Sequence, residues 1–232
     1  MGFVFVQCRD DACRLRFPAE AAAVESGLVC PRCRNKTLAL TLSPRERGLE
    51  GSSRPAEGRD DRPAATGAAG VRLVALLDNI RSIHNIGSMF RTADGAGLDH
   101  MHLAGISATP EHPRLAKAAL GAQQTVPWTY HRNSLDAAAR LRDEGFCLWA
   151  LERTAEASLQ PSLYDAGPPD APLALVVGNE RAGVDPGLLA LCDGVFSLPM
   201  RGGKSSLNVA VAFGIAVYHL RFVAAPAAAL RS

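Results

Sequence analysis

The chain has 232 residues, 47% of them hydrophobic, and a formal net charge of +2 at pH 7. That length allows one large domain or a medium and a small one, and the apolar share is enough to fill a core. So small a charge excludes a global field as the means of holding an acidic polymer; a nucleic-acid partner has to be met by a local basic patch.

Residues 1–42 read as a small unit organised by cysteines. Cys8-x4-Cys13 and, sixteen residues on, Cys30-Pro31-Arg32-Cys33 have the spacing of a zinc ribbon. Each pair offers two thiolates, and four thiolates complete a tetrahedral structural Zn2+ site. A unit this small cannot fold on an apolar core of its own, so a metal staple is physically reasonable. Two disulfides or free thiols are the alternatives. The apolar start Phe3-Val4-Phe5-Val6 is too short for a signal-peptide core, which disfavours disulfides. Arg32, Arg34 and Lys36 flank the second knuckle, with Phe17 available for stacking, so the unit grips RNA or serves as a structural or partner-docking appendage. Cys147 and Cys192, inside apolar segments, read as packing residues.

Residues 43–70 contain no Val, Ile or aromatic residue and a single Leu. Such a segment cannot bury enough apolar area to offset its ordering entropy, and it reads as a flexible linker.

From residue 71 strands and helices alternate. Strands are expected at Arg72–Asp78, Met101–Ile106, Thr125–Tyr130 (an edge, because Pro127 lacks a donor), Phe146–Leu151, Leu173–Val177 and Val195–Leu198. Helices are expected at Asn85–Ala96, with Ile86, Met89, Phe90 and Ala93 on one face, at Arg114–Leu120, at Leu135–Glu144 capped by Ser134, and at Pro186–Cys192 capped by Asp185. A long apolar helix, Leu207–Val223, follows a cap at Ser205 or Ser206, and residues 226–232 form a tail. The apolar run Val209–Val217 is short of a membrane span, so a cytoplasmic protein without a membrane partner is the expectation. Alternating strands and helices imply a mostly parallel sheet covered on both faces. None of the six histidines has helical spacing to another that suggests a metal pair; His100 and His102 alternate on a strand, and all read as core or surface residues. Gly203-Lys204-Ser205 imitates the end of a P-loop, but residue 198, where the first glycine belongs, is Leu.

Three polar blocks stand where strands end and helices begin, the place where open α/β sheets hold ligands. They are His84-Asn85-Ile86-Gly87-Ser88-Met89-Phe90-Arg91-Thr92-Ala93-Asp94, then Val177-Gly178-Asn179-Glu180-Arg181-Ala182-Gly183-Val184, then Leu198-Pro199-Met200-Arg201-Gly202-Gly203 with Ser205-Ser206-Leu207-Asn208-Val209-Ala210. In this order they resemble the SpoU/TrmH family of SPOUT-class RNA ribose methyltransferases over residues 71–225. That resemblance implies an α/β fold with a C-terminal trefoil knot, a homodimer with the site near its interface, and S-adenosylmethionine as cofactor. The implied reaction is methyl transfer to a ribose 2′-hydroxyl of tRNA or rRNA, with no DNA partner. A non-catalytic RNA-binding module of this fold and a SPOUT enzyme methylating a base nitrogen are the alternatives.

The resemblance also assigns residues. Arg91, Asn85, Glu180, Ser206 and Asn208 fall at catalytic positions. Val177, Gly178, Asn179, Leu198, Met200, Ser206 and Leu207 fall at cofactor positions, Gly178 giving a ligand access to the backbone. Arg181, which stands where the family often has glycine, joins Arg91, Arg201, Lys204, Arg32 and Arg34 as an expected RNA contact. Guanidinium stays protonated in proteins, so Arg91 is expected to hold a phosphate and orient the hydroxyl, and Glu180 to support either the cofactor pocket or this arginine.

Overall fold

The structure is a computed structural model that describes residues 2–39, 56–57, 71–153, 160–167, 169 and 171–224. Most of the expected linker at 43–70 and the tail at 226–232 lie outside the described residues.

The amino-terminal unit is a three-stranded antiparallel sheet in the order β2-β1-β3, formed by β1 (Phe3–Cys8), β2 (Arg16–Glu20) and β3 (Thr37–Ala39). A short helix α1 (Ala21–Glu25) follows β2. Val6, Cys8, Cys13, Leu15, Phe17, Ala19 and Cys30 make a small buried cluster, so three of the four clustered cysteines are themselves core residues.

The larger unit is a seven-stranded sheet in the order β10-β8-β9-β5-β6-β7-β4. Its strands are β4 (Ala56–Glu57), β5 (Leu73–Asp78), β6 (His100–Ala104), β7 (Trp128–His131), β8 (Cys147–Leu151), β9 (Leu173–Val177) and β10 (Gly194–Phe196). All pair in parallel except β4, which runs antiparallel to β7. β5 and β9 are buried along their whole length, which is why they read as unbroken apolar runs. Leu73, Ala75 and Leu77 face a core shared with α2 (Ile83–Ala96), α3 (Pro113–Ala119), α4 (Ala122–Thr125) and α7 (Val209–Tyr218). Val74 and Leu76 face the second core, under α5 (Ser134–Asp143) and α6 (Pro186–Leu189). Helices therefore cover both faces. At Gly87 the helices α2 and α3 nearly touch: a β-carbon there would lie 2.4 Å from that of Ala118.

Several element ends differ from expectation. Residue 125 closes α4, and Pro127 precedes β7 instead of sitting in it, so the strand loses no ladder donor; β7 is bordered by β4 and is not the edge. Asn133, one residue before Ser134, caps α5 by accepting the Leu135 N–H. The cap of the last helix is Asn208, not Ser205 or Ser206; α7 ends at Tyr218 and continues as a π turn, His219–Val223. A shortened α6 keeps Asp185 as its cap. No described helix is long and apolar enough to cross a membrane.

Three histidines meet on the α5 side of the sheet, where β6 and β7 run together. His102 Nδ1 is 3.0 Å from His131 Nε2, and the rings of His100 and His102 are 4.5 Å apart. Burial, then the His100 and His131 charges, push the His102 imidazole down to about 2. Burial, then Arg140 and His100, push His131 down to about 4. Both pKa values lie below that of the unfolded chain, so the stability they contribute is present above about pH 6.5 and is lost as pH falls. The two histidines together would give a slope of about 2.7 kcal/mol per pH unit. Asp78, which burial raises to about 6, takes up one proton in the folded state over part of that range and offsets about half of it. Urea unfolding between pH 7 and 5 should thus show stability falling on acidification, and His102→Gln should flatten the fall. A stability that is level over this range would contradict the burial of the cluster.

Candidate active site

The carboxyl ends of β8, β9 and β10 and the head of α7 open onto one cavity of about 650 Å³, a size suited to a small organic ligand. It is lined by parts of three loops and the first turn of α7. On the apolar side are Leu151, Leu198, Met200, Leu207 and Ala212; on the polar side are Glu152, Arg153, Asn179, Ser205 and Ser206.

The segment after β5 is held tightly. Asn79 adopts φ +59 and its Oδ1 accepts the Ile106 N–H, while the Ile80 N–H goes to Ser107 Oγ. Glu180, from the loop after β9, then clasps the start of α2. Its Oε2 accepts the Arg81 N–H at 2.9 Å, and its Oε1 accepts the Ser82 N–H and Asn85 Nδ2, each at 2.9 Å. Partial burial alone would raise the Glu180 carboxyl pKa; these three donors outweigh it and hold the group below the usual carboxylate range. Asn85 Oδ1 in turn accepts Asn208 Nδ2 at 3.1 Å, and Asn208 Oδ1 accepts the Ala210 and Val211 N–H groups at the head of α7. One side-chain relay, Glu180–Asn85–Asn208, therefore joins all three sequence blocks.

The loop after β9 is shaped mostly by itself. The Asn179 and Gly183 main chains exchange two hydrogen bonds, and Asn179 Oδ1 accepts the Arg181 and Ala182 N–H groups. A β-carbon on Gly178 would lie 2.2 Å from the Val184 nitrogen, so its missing side chain makes room for the loop's own return as well as bordering the cavity. Gly183, at φ +73, passes Glu152, whose Oε2 accepts the Val184 N–H at 2.7 Å. Arg153 Nη1 donates to the Ser205 carbonyl at 2.6 Å, tying the loop after β8 to the one after β10. Sequence reasoning missed Glu152 and Arg153. Their signal was a charged pair directly after an apolar strand, at the end where such sheets hold ligands.

Of the expected cofactor residues, Gly178, Asn179, Leu198, Met200, Ser206 and Leu207 line the cavity; Val177 is buried in the core beneath it. Asn208 lines it too, while Asn85 meets it through Asn208. Arg91 stands apart: it is exposed on α2, and its side chain makes no hydrogen bond or ion pair with another described residue. Glu180 borders the cavity and clasps main-chain donors and Asn85; Arg91 is not among its partners. Arg201 and Lys204 are exposed on the loop before α7. Arg181 leans on the ribbon, its guanidinium 4.9 Å over the Phe3 ring and 4.0 Å from Glu20, with about half of its side chain exposed.

In the amino-terminal unit the four sulfurs of Cys8, Cys13, Cys30 and Cys33 lie within 4.8 Å of one another. Tetrahedral zinc with bonds of about 2.3 Å needs edges of about 3.8 Å, so small shifts close the site. Asp10 braces the first knuckle by accepting the Ala12 and Cys13 N–H groups, and it takes Asn35 Nδ2 from the second. This unit is docked on the larger one. Arg16 is buried and paired in a fork with Asp185, its Nη2 2.7 Å from Oδ1. Arg14 meets Asp136 at 3.1 Å and Arg132 donates to the Ala12 carbonyl. A cleft of about 490 Å³ runs along the seam, lined by Arg32 and Pro31 on one side and by Trp128, Tyr130 and His112 on the other. The Arg32 guanidinium lies 5.9 Å over the Tyr130 ring; Arg34 is exposed beside it in the chain.

Sheet order, loop placement and cavity define an open-sheet α/β domain with a ligand-sized cavity at the carboxyl ends of its strands. The sequence model of the SpoU rRNA Methylase family matches residues 72–218, and the chain belongs to that family. Over 153 residues it is 39% identical to the 23S rRNA (guanosine(2553)-2′-O)-methyltransferase RlmP of Bacillus subtilis (strain 168), a match covering 66% of this chain and 59% of that protein. Two AdoMet-bound crystal structures are similar in fold. The SpoU methyltransferase AviRb of Streptomyces viridochromogenes has a TM-score of 0.60 and 28% identity, covering 72% of this chain and 64% of its own. An rRNA methyltransferase of Sinorhizobium meliloti has a TM-score of 0.61 and 26% identity, covering 66% and 57%.

Glu180→Gln keeps the shape of the clasp but replaces one accepting oxygen by a donor. The Arg81 or Ser82 N–H then loses its partner, which should cost about 1 kcal/mol in urea unfolding and speed amide exchange at those two residues. Unchanged exchange there would show that the clasp is not formed.

Proposed function

We propose that this protein is an S-adenosylmethionine-dependent RNA methyltransferase that modifies a ribose 2′-hydroxyl, with ribosomal RNA as the substrate class. The observation that carries the reading is the relay Glu180–Asn85–Asn208 at the rim of the cavity. It unites the three blocks that mark the family, and a pure RNA binder has no need of that combination. Family membership and the ribosomal substrate named for the Bacillus relative support the same reading.

The cavity suits the cofactor. Leu198, Met200 and Leu207 offer apolar contact for an adenine, while Asn179, Glu152, Arg153 and Ser206 offer polar atoms for the ribose and the amino-acid end. When bound, S-adenosylmethionine supplies an electrophilic methyl group, so no catalytic metal is required. The chain's part is to align the hydroxyl with that group. Asn208, fixed by Asn85 on one side and by the α7 head on the other, presents a rigid polar edge to the cavity. Ser206 lines it nearby. Arg91 holds the phosphate next to the target ribose and orients the hydroxyl; permanently charged, it does not take the proton. Arg201, Lys204 and the ribbon's Arg32 and Arg34 extend the phosphate contacts, and the seam cleft places the Trp128 and Tyr130 side chains where an unpaired base can stack.

Arg91 lies outside the cavity lining of its own chain, and this reading therefore includes a homodimer. Val211, Tyr218, Phe222 and Val223 leave an exposed apolar row along α7 and the turn after it, and a partner packed on that row would bring its own cavity towards Arg91. The reading also includes structural zinc on Cys8, Cys13, Cys30 and Cys33, a linker at 43–70, a methyltransferase domain at 71–225 with a trefoil knot, and a cytoplasmic location.

Incubation of the protein with 23S rRNA and methyl-labelled cofactor, followed by digestion to nucleosides, should give a 2′-O-methylated ribonucleoside. Arg91→Lys should lower kcat/KM by about a hundredfold, because a point charge cannot replace a two-pronged hold. Label on a base would favour base methylation, and RNA binding without transfer would favour a binding module. An Arg91→Lys enzyme that turns over normally would sink the anchoring role.

A further inference from the structure

Asp78 and Asp185, at the carboxyl edge of the large sheet, have no exposed surface. The Asp185 N–H is donated to Asp78 Oδ2 at 2.9 Å, and the Asp185 carboxylate also caps α6 through Gly187. Two buried carboxylates in such proximity are costly without a counter-ion. Burial and the Asp185 charge have already pushed the Asp78 carboxyl up to about 6. Among the described residues of 71–224, no cation forms an ion pair with either. The cation is Arg16 of the ribbon, 169 residues away in sequence, itself buried and forked onto both Asp185 oxygens.

Asp185 is also the residue on which the cavity loop ends. It follows Val184, whose N–H is held by Glu152, and Gly183, which closes against Asn179. Moving the Asp185 side chain moves the end of a loop whose other residues, 178–181 and 183, line the cavity.

We propose that Arg16 is a positioning residue for the cofactor cavity: by neutralising Asp185 it fixes the loop 178–185, so the cysteine unit is a built-in part of the site and not an appendage on a tether. The proposal rests on the reading of the cavity as the S-adenosylmethionine site. Attachment of the ribbon does not depend on Arg16 alone. Arg14–Asp136, the Arg16 N–H on the Arg132 carbonyl, Arg132 on the Ala12 carbonyl and Asn133 on Gln7 all remain when the Arg16 side chain is replaced.

The test compares the full chain with Arg16→Met, and with Arg16→Met combined with Asp185→Asn, by amide hydrogen exchange and by calorimetric titration with S-adenosylmethionine. Arg16→Met leaves a buried charge unpaired. Exchange within 178–187 should then rise at least about tenfold while that of 73–77 stays as it was, and the cofactor Kd should weaken by about tenfold. The second substitution removes the orphaned charge, and asparagine still caps α6, so most of both effects should revert. Wild-type exchange at 178–187 in Arg16→Met, or a double variant no better than the single one, would overturn the proposal. If Arg16→Met does not fold, the double variant decides: wild-type loop exchange supports the proposal, and failure to fold contradicts it. If the unmodified protein takes up no S-adenosylmethionine, it is the cofactor reading that fails, and the exchange comparison still decides the role of Arg16.

Discussion

The loop after β9, the start of α2 and the head of α7 are held in one arrangement at the cavity by a directional chain of side-chain hydrogen bonds. An ionised carboxylate can only accept, so Glu180 obliges Asn85 to turn its amide nitrogen toward it. The Asn85 oxygen is then left to accept from Asn208, and the Asn208 oxygen is left for the two N–H groups at the head of α7. Each link fixes the orientation of the next, from a carboxylate at one end to a helix terminus at the other. Residues 95 and 123 positions apart are brought together without a covalent tie or a metal. That is preorganisation: the polar edge is in place before any ligand arrives.

Much of this was legible in the sequence because strands of a parallel sheet read as apolar runs and because glycines and polar residues cluster where such strands stop. β9 fell on its expected bounds, and the helix carrying Asn85 and Arg91 was found from the spacing of Ile86, Met89, Phe90 and Ala93. Caps were less legible, since adjacent Ser and Asn are both good acceptors; Asn133 and Asn208 took the places expected of Ser134 and of Ser205 or Ser206. What stayed hidden was long-range pairing of charge. Nothing local marks Arg16 as the mate of Asp185, or Glu152 as the acceptor for the Val184 amide. His100 and His102 were seen to alternate on a strand, but their third member, His131, joins them only through strand pairing.

The amino-terminal unit illustrates how a docked module changes the reading of its charges. In the sequence Arg14, Arg16 and Arg181 look like contributions to a basic surface. In the fold all three meet carboxylates across the seam, on Asp136, Asp185 and Glu20. Arg32, Arg34, Arg201, Lys204 and Arg91 remain exposed.

The relay organises the site, and a double-mutant cycle on Asn85→Ala and Asn208→Ala, read out as cofactor affinity, tests this most directly. A coupling of about 1 kcal/mol between the two positions is predicted, because either single change already breaks the chain. Losses that simply add, within about 0.3 kcal/mol, would show that the two asparagines act independently and that the relay does not organise the site.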